Sequence, residues 1–268
     1  ALKPVSIQVT GLGFCCTTGL QTMDYQLTDH VLNPPDNPSY NSEKLIYLDT
    51  LMHWKPPLFT GTRCCAPTMN PPVLENGYIT FGCGNNLFKL NEKVLTLWSE
   101  ILQSLPKAKL SLKARQFDDV GVQQYWLERW QAYGISSEQL LFTGSSNHEQ
   151  HLQFYQHIDI ALDPFPCNGG ITTFEALWMG VPVITLEGGT RTGASILSTL
   201  GLNHWVAKTS QRYLTSTLKL ATHVEELTHW RHNLRDRLLH SPACNGQTFA
   251  QQVERAYWYM WRERNPSF

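Results

Sequence analysis

The pattern of apolar positions changes character along this 268-residue chain. Up to about residue 60, apolar positions are broken by Gly11, Gly13, Gly19 and the run Asn33-Pro34-Pro35-Asp36-Asn37-Pro38. Two strand-like runs survive there, Pro4–Thr10 and Leu45–Leu48. From Lys55 to Asn76 five prolines and little periodicity mark a linker. Beyond it, short apolar runs of strand length alternate with stretches of helical period. Strands are expected at Tyr78–Cys83, Lys109–Ala114, Leu140–Thr143, Ile158–Leu162 and Val181–Leu186. Helices are expected between them at Glu92–Leu105, Val122–Tyr133, Asn147–His157 and Thr172–Met179. The first of these shows the reason, since Val94, Leu95, Trp98, Ile101 and Leu102 fall on one face. Gly189–Leu200 and Ser210–Ser241 read as mostly helical. Thr248–Arg264 reads as a terminal helix carrying Phe249, Tyr257, Trp258, Tyr259 and Trp261.

Strands separated by helices of this length predict parallel βαβ units, hence an α/β fold with an open doubly wound sheet. Ligands of such sheets sit at the C-terminal ends of the strands. The loops Gly82–Lys89, Thr143–His151 and Asp163–Thr173 should converge there.

Composition narrows the picture a little. Hydrophobic residues make up 42% and charged residues 16%, as in a globular protein. A net charge of −1 supplies no electrostatic argument for nucleic acid or an anionic membrane. No apolar run approaches the ~20 residues that span a bilayer, and no charged-then-apolar leader opens the chain. Seven cysteines include the pairs Cys15-Cys16 and Cys64-Cys65 but no CxxC. That usage fits free thiols in a reducing compartment, so a cytoplasmic location is expected. The chain starts at Ala1 and runs almost at once into a strand-like segment, as a piece of a longer protein or a processed N-terminus would.

The segment Asp159–Gly180 carries the strongest chemical signal. A buried strand runs into a Gly-rich polar turn and then a helix opening on Thr172-Thr173. Such a helix start offers unpaired N–H groups and the positive end of the dipole, which suits a phosphate. Lys89 closes the loop Gly82-Cys83-Gly84-Asn85-Asn86-Leu87-Phe88, where it serves either as a point charge on a diphosphate or as a solvated loop lysine. Asn86 would add an amide donor. Asn147 and Gln150 form a capping box for the helix that carries His148 and His151. Those two rings share a face at i, i+3 spacing, open to nucleotide contact, to metal ligation without a nearby third ligand, or to plain surface exposure. Glu175 suits the helix dipole and could instead accept ribose hydroxyls. GxGxxG, GxxxxGK[ST] and GxSxG are absent, which argues against ordinary Rossmann dehydrogenases, P-loop ATPases and esterases.

Several segments together resemble the protein O-GlcNAc transferase and SPINDLY family, glycosyltransferase family 41. They are Met23–Asp29, Ser42-Glu43-Lys44-Leu45, Phe81–Lys89, Leu162-Asp163-Pro164-Phe165-Pro166, Thr172–Pro182 and Ser241-Pro242-Ala243-Cys244-Asn245-Gly246. The resemblance runs in register over essentially the whole chain and covers the C-terminal part of the family's catalytic region. It implies a GT-B fold. Residues 1–60 would be a remnant of the N-terminal lobe, 61–76 a linker, 77–247 the Rossmann-like nucleotide-sugar lobe, and 248–268 a helix packing back toward the first lobe.

The resemblance also implies a site. Lys89 matches the catalytic lysine that neutralises the leaving diphosphate, and Asn86 an amide beside it. His151 matches a histidine packed on the base, and His148 a nucleoside contact that is lysine in the GlcNAc enzymes. Thr172 matches a hydroxyl near the diphosphate and Glu175 an acid on the ribose. Ser146, Gly169, Gly170 and Thr173 complete the implied donor-binding set. Gly170 and Ile171 depart from the hydroxyl-bearing pairs expected in relatives, which leaves the anion to backbone amides and Thr172. The implied reaction is inverting, metal-independent transfer of a sugar to Ser or Thr of proteins. GlcNAc from UDP-GlcNAc is the leading expectation, and GDP-fucose the SPINDLY-type alternative. A non-catalytic half-domain that only binds nucleotide sugar is a further reading. Tetratricopeptide repeats and the rest of the N-terminal lobe are expected upstream in the full-length protein. Neither nucleic acid nor membrane is an expected partner.

Overall fold

The computed structural model describes residues 2–36, 40–57, 67–68 and 70–267. Asn37, Pro38, the pair Cys64-Cys65 and part of the expected 61–76 linker lie outside the described residues.

Two parallel sheets organise the chain. The first is small, with β1 (Val9–Thr10), β2 (Tyr25–Thr28) and β3 (Lys44–Tyr47) in that order. The second has six strands: β4 (Thr80–Cys83), β5 (Lys109–Lys113), β6 (Leu140–Thr143), β7 (Ile160–Leu162), β8 (Val183–Leu186) and β9 (Val206–Ala207). Their order is β6-β5-β4-β7-β8-β9, and every pairing is parallel. From β4 the chain winds outward through β5 and β6, then returns to place β7 on the other side of β4. Loops leaving the C-terminal ends of β4 and β7 therefore diverge to opposite faces and open a crevice between them.

Around the sheets lie α1 (Val73–Asn76), α2 (Glu92–Ser104), α3 (Val120–Gln131), α4 (His148–Phe154), α5 (Ile171–Trp178) and α6 (Thr192–Thr199). The chain ends with α7 (Ser210–Ala221), α8 (Val224–Leu239) and α9 (Gly246–Arg264). The apolar stripe predicted for the first long helix is real: Val94, Leu95, Trp98, Ile101 and Leu102 are fully buried on α2, against Phe81 and Leu110 in the same core. Gly82 allows close packing on β4, because a Cβ there would lie 2.6 Å from Ile158 Cδ1. None of the described helices is long and apolar enough to cross a membrane.

A buried arginine fastens the region that carries the site. Arg231 of α8 is only 2% exposed. It donates to the carbonyls of Ile158 (3.1 Å), Gln156 (2.9 Å) and Tyr155 (3.3 Å), where the chain passes from α4 into β7. Next to it Asp159 accepts from the backbone N–H groups of Val73 and Thr80. Long-range polar groups thus hold the start of β7 in place on both sides.

Helix α9 leaves the second sheet and packs on the first. Ala256 and Met260 share a buried cluster with Tyr25, Leu27, Leu48 and Leu51. Tyr25 donates to Glu263 at 2.7 Å, and ion pairs join Lys44 to Glu263 and Arg264 to Asp24.

Several expected elements come out differently. The run Pro4–Thr10 contributes only Val9–Thr10 as strand. Tyr25–Thr28, not anticipated as a strand, is the middle strand of the first sheet. Its Gln26 and Thr28 are fully buried yet bonded, Gln26 to Cys15 O and Asn41, and Thr28 to Asn33. Ser210–Ser241 is two helices, because Thr222 and His223 turn their side chains onto the Lys219 carbonyl and end the first. Helix α5 opens at Ile171, one residue before the expected Thr172. Asn147–His157 is helical over His148–Phe154 and closes with a 3₁₀ turn through His157.

Candidate functional site

Three loops meet at the C-terminal ends of β4, β6 and β7, as the alternation of strands and helices predicts. The first follows β4. Asn86 caps a 3₁₀ turn over Leu87–Lys89 by accepting from Phe88 N at 3.1 Å, and its Oδ1 also meets Gln116 Nε2. That turn sends Lys89 back toward β7. Its ammonium donates to Asn85 Oδ1 at 2.9 Å and to the carbonyl of Asn168 at 2.8 Å.

The second loop follows β7. Asp163 ends that strand fully buried, accepting from Gly169 N at 2.6 Å and from the Thr185 hydroxyl at 2.6 Å. Burial pushes its carboxyl up to about 7, against the lowering effect of Thr185, Gly169 and the nearby Lys89. The loop is held from the other side by Thr190, whose hydroxyl accepts from Asn168 N, and by Thr192, whose hydroxyl donates to Gly169 O. Gly169 is confined: a Cβ would fall 2.6 Å from Thr173 Oγ1 and 2.7 Å from Thr172 Oγ1. At Gly170, no side chain caps α5. The helix therefore presents its N-terminal end to the crevice, with Thr172 Oγ1 bonded to Asn85 Oδ1 at 3.1 Å.

The third loop follows β6. Asp118 holds Ser145 through both its N–H and its hydroxyl, and Lys113 donates to Gly144 O at 2.9 Å. Ser146 is exposed at the turn before the Asn147 cap. Asn147 and Gln150 form the expected capping box. One turn of α4 then sets His148 Nε2 3.2 Å from Glu175 Oε1 and His151 Nε2 3.0 Å from Glu175 Oε2. Tyr155, buried beneath His151, donates its hydroxyl to Thr172 O at 3.2 Å, and burial raises its pKa well above the ordinary value.

The residues singled out in the sequence fall into two groups. Lys89, Thr172, Gly169 and Gly170 meet at the β4–β7 crevice, while His148, His151 and Glu175 join α4 to α5. Thr173 is buried beneath the loop rather than facing outward. Asn86 uses its side-chain oxygen to cap its own turn, so the amide that meets Lys89 is that of Asn85. Both histidines turn onto one carboxylate. Among the described residues no cluster of three or more His, Cys, Asp or Glu side chains is arranged to hold a metal ion. Sequence reading missed Asn85, Asn168, Asp163 and Tyr155; Asn85 and Asn168 were signalled only by a neighbouring glycine, Asp163 only by its place at a strand end, and Tyr155 by nothing local. A cavity of about 590 Å³ opens beside the site, lined by Gly84, Asn86, Lys113, Gln116 and Asp118. The crevice can thus offer an anion one ammonium and a helix N-terminus, with a histidine-bearing wall beside it.

The chain has clear relatives among known proteins. The profile of the family described as Glycosyl transferase family 41 matches residues 1–54 and 68–253. A SPINDLY protein of Arabidopsis thaliana, described as a probable UDP-N-acetylglucosamine–peptide N-acetylglucosaminyltransferase, is 39% identical over 98% of the chain. The SEC protein of the same plant, described likewise, is 28% identical over 97%. The chain spans 29% of the SPINDLY protein's length and 27% of the SEC protein's. Among solved structures, a mutant O-GlcNAc transferase of Thermobaculum terrenum superposes with a TM-score of 0.87 at 32% identity, covering 97% of this chain and 49% of that one. Sucrose-phosphate synthase of Thermosynechococcus elongatus, at 14% identity and a TM-score of 0.57, shares the fold alone. The architecture is that of a GT-B glycosyltransferase, its C-terminal Rossmann-like lobe with part of the N-terminal lobe beside it. By family profile, identity and superposition, this chain belongs to glycosyl transferase family 41.

Proposed function

We propose that this chain is the donor-binding part of an inverting protein O-glycosyltransferase, which passes GlcNAc from UDP-GlcNAc to Ser or Thr of protein acceptors. The observation that carries the reading is the Lys89 ammonium, held over the N-terminal end of α5 between Asn85 and the Asn168 carbonyl. In an inverting transfer the acceptor hydroxyl attacks the anomeric carbon from the face opposite the nucleotide and gives up its proton to water. The bond from that carbon to the phosphate oxygen breaks, and the diphosphate leaves with the electron pair. Lys89 and the helix N-terminus, with Thr172 beside them, meet the charge that develops there, which makes a divalent cation unnecessary in this reading. Glu175 and the two histidines would face the ribose and the base. Ser146 would line the base and the backbone N–H of Gly170 the phosphates, with Gly169 held behind it by Asp163 and Thr192. The peptide acceptor follows from the relatives' descriptions. In the full-length protein, a complete N-terminal lobe and tetratricopeptide repeats would present that acceptor.

One observation favours GDP-fucose as a second donor. His148 stands where GlcNAc enzymes of the family are expected to carry lysine. Thermal unfolding with UDP, GDP, UDP-GlcNAc and GDP-fucose separates the two. A ligand at about 100 times its Kd stabilises by about 2.7 kcal/mol, an easily read shift. Stabilisation by the uridine pair supports GlcNAc, and by the guanosine pair fucose. No shift with any of the four overturns donor binding. Sugar transfer or hydrolysis that disappears in Lys89→Ala would further set the enzyme apart from a domain that only binds nucleotide sugar.

A further inference from the structure

Asn85 sits directly after Gly84 at the end of β4 and is 8% exposed. One atom, Oδ1, accepts both from Lys89 Nζ (2.9 Å) and from Thr172 Oγ1 (3.1 Å). An ammonium has only donors, so the atom facing Lys89 must be the amide oxygen; the NH2 group then points to Cys83 Sγ at 3.7 Å. Lys89 comes from the turn after β4 and Thr172 from the first turn of α5. A single buried oxygen therefore draws together the cationic and the hydroxyl donor from the two sides of the crevice. Lys89 spends a second N–H on the Asn168 carbonyl, which leaves its third for a ligand.

We propose that Asn85 is a positioning residue, which aims Lys89 at the donor diphosphate and ties it to the first turn of α5 through Thr172, without cancelling the ammonium charge. This rests on the reading of Lys89 as a phosphate ligand. An amide suits the task because it accepts two hydrogen bonds while remaining neutral. Aspartate would have the same shape and accept the same bonds, but its charge would pair with Lys89 and repel the incoming diphosphate. Alanine would leave Lys89 charged and unaimed. A residue that merely closed the β4 turn would affect nucleoside and nucleoside diphosphate alike.

The test compares the full chain with Asn85→Ala and Asn85→Asp by calorimetric titration against UDP, GDP, uridine and guanosine, with Lys89→Ala as reference. Both Asn85 variants should weaken the bound nucleoside diphosphate by about 10- to 100-fold, the range of a hydrogen bond to a charged group. The matching nucleoside should change by no more than about twofold. Asn85→Asp, which keeps the shape of the wild-type side chain and so guards against simple misfolding, should be at least as impaired as Asn85→Ala. Equal losses for nucleoside and diphosphate, or no loss for either, overturn the positioning role. A wild-type chain that binds neither diphosphate, or a Lys89→Ala variant that binds as tightly as wild type, removes instead the reading on which the inference rests.

Discussion

His151 Nε2 stands 3.0 Å from Glu175 Oε2, joining α4 to α5 across the crevice wall. The other oxygen of the same carboxylate meets His148 at 3.2 Å. Spacing explains the pairing, since residues i and i+3 on α4 project side by side and a carboxylate offers two oxygens. Glu175 is 5% exposed, so these contacts rather than water satisfy its carboxyl oxygens. Glu175→Ala should release both rings and lower nucleoside affinity by about tenfold or more, while costing about 1–3 kcal/mol of stability. Glu175→Gln keeps the shape and should cost less on both counts. Titration with uridine and guanosine, alongside chemical unfolding, reads the two effects. Unchanged nucleoside affinity in Glu175→Ala would remove Glu175 from the proposed ribose site.

Gly169 has no room for a side chain. Its Cβ would press on the hydroxyls of Thr172 and Thr173 and come within 3.0 Å of Asp163 Oδ1. Two of those three atoms belong to the first turn of α5. Gly169→Ala should therefore push the loop away from the helix end, at a cost of about 1–3 kcal/mol. Diphosphate affinity should fall by at least tenfold, with nucleoside affinity less affected. Equal retention of diphosphate binding would show that the loop relaxes without disturbing the helix end.

What could be read in advance follows from where the determining contacts lie. The strands and helices after residue 77 were legible because their apolar periods are local. Lys89, Thr172 and Glu175 were legible because glycines and helix-start residues announce the loops that carry them. Asn85 and Asn86 are adjacent, and which one faces Lys89 depends on how β4 ends and turns, which no pattern encodes. Strand β2 was hidden because Gln26 and Thr28 are buried with polar partners elsewhere, Asn41 and Asn33 among them. Arg231 reads as one more polar residue on a helix. Its buried role exists only because three carbonyls from the α4–β7 passage surround it.

That arrangement makes Arg231 a fastener with a measurable worth. Arg231→Met matches its length and removes every donor, leaving the carbonyls of Tyr155, Gln156 and Ile158 without this partner and Asp159 without its nearby cation. Burial of those groups has no compensation from water, so a loss of about 3 kcal/mol or more is expected. Urea unfolding followed by tryptophan fluorescence reads it. A midpoint within experimental error of the wild type would show that the carbonyls find other donors.

Stability should also depend on pH in a direction set by three carboxyl groups. Burial pushes Asp163 up to about 7, and Asp159 up to about 6 despite the N–H groups of Thr80 and Val73. An unfolded aspartate titrates near 4, so between about 4 and about 7 the folded chain holds protons that the unfolded chain has released. Stability contributed by these two groups is full below about pH 4 and is lost as pH rises through their folded values. The slope is at most about 1.4 kcal/mol per pH unit for each group. Glu43 has the opposite sign. Its burial is outweighed by hydrogen bonds from Thr17 and Thr18, which hold it at about 2. Its contribution is present above the ordinary glutamate range and lost as pH falls toward 2. The three pull in opposite directions, Asp163 and Asp159 against high pH and Glu43 against low pH. Asp163→Asn isolates the largest upward shift. The Asn side chain can still accept from Gly169 N, and the Thr185 hydroxyl can accept where it previously donated. Unfolding midpoints measured from pH 4 to 8 should decline less steeply in the variant than in the wild type. Parallel profiles would mean that Asp163 is ionised throughout that range, held so by Thr185, Gly169 and Lys89 against the effect of burial.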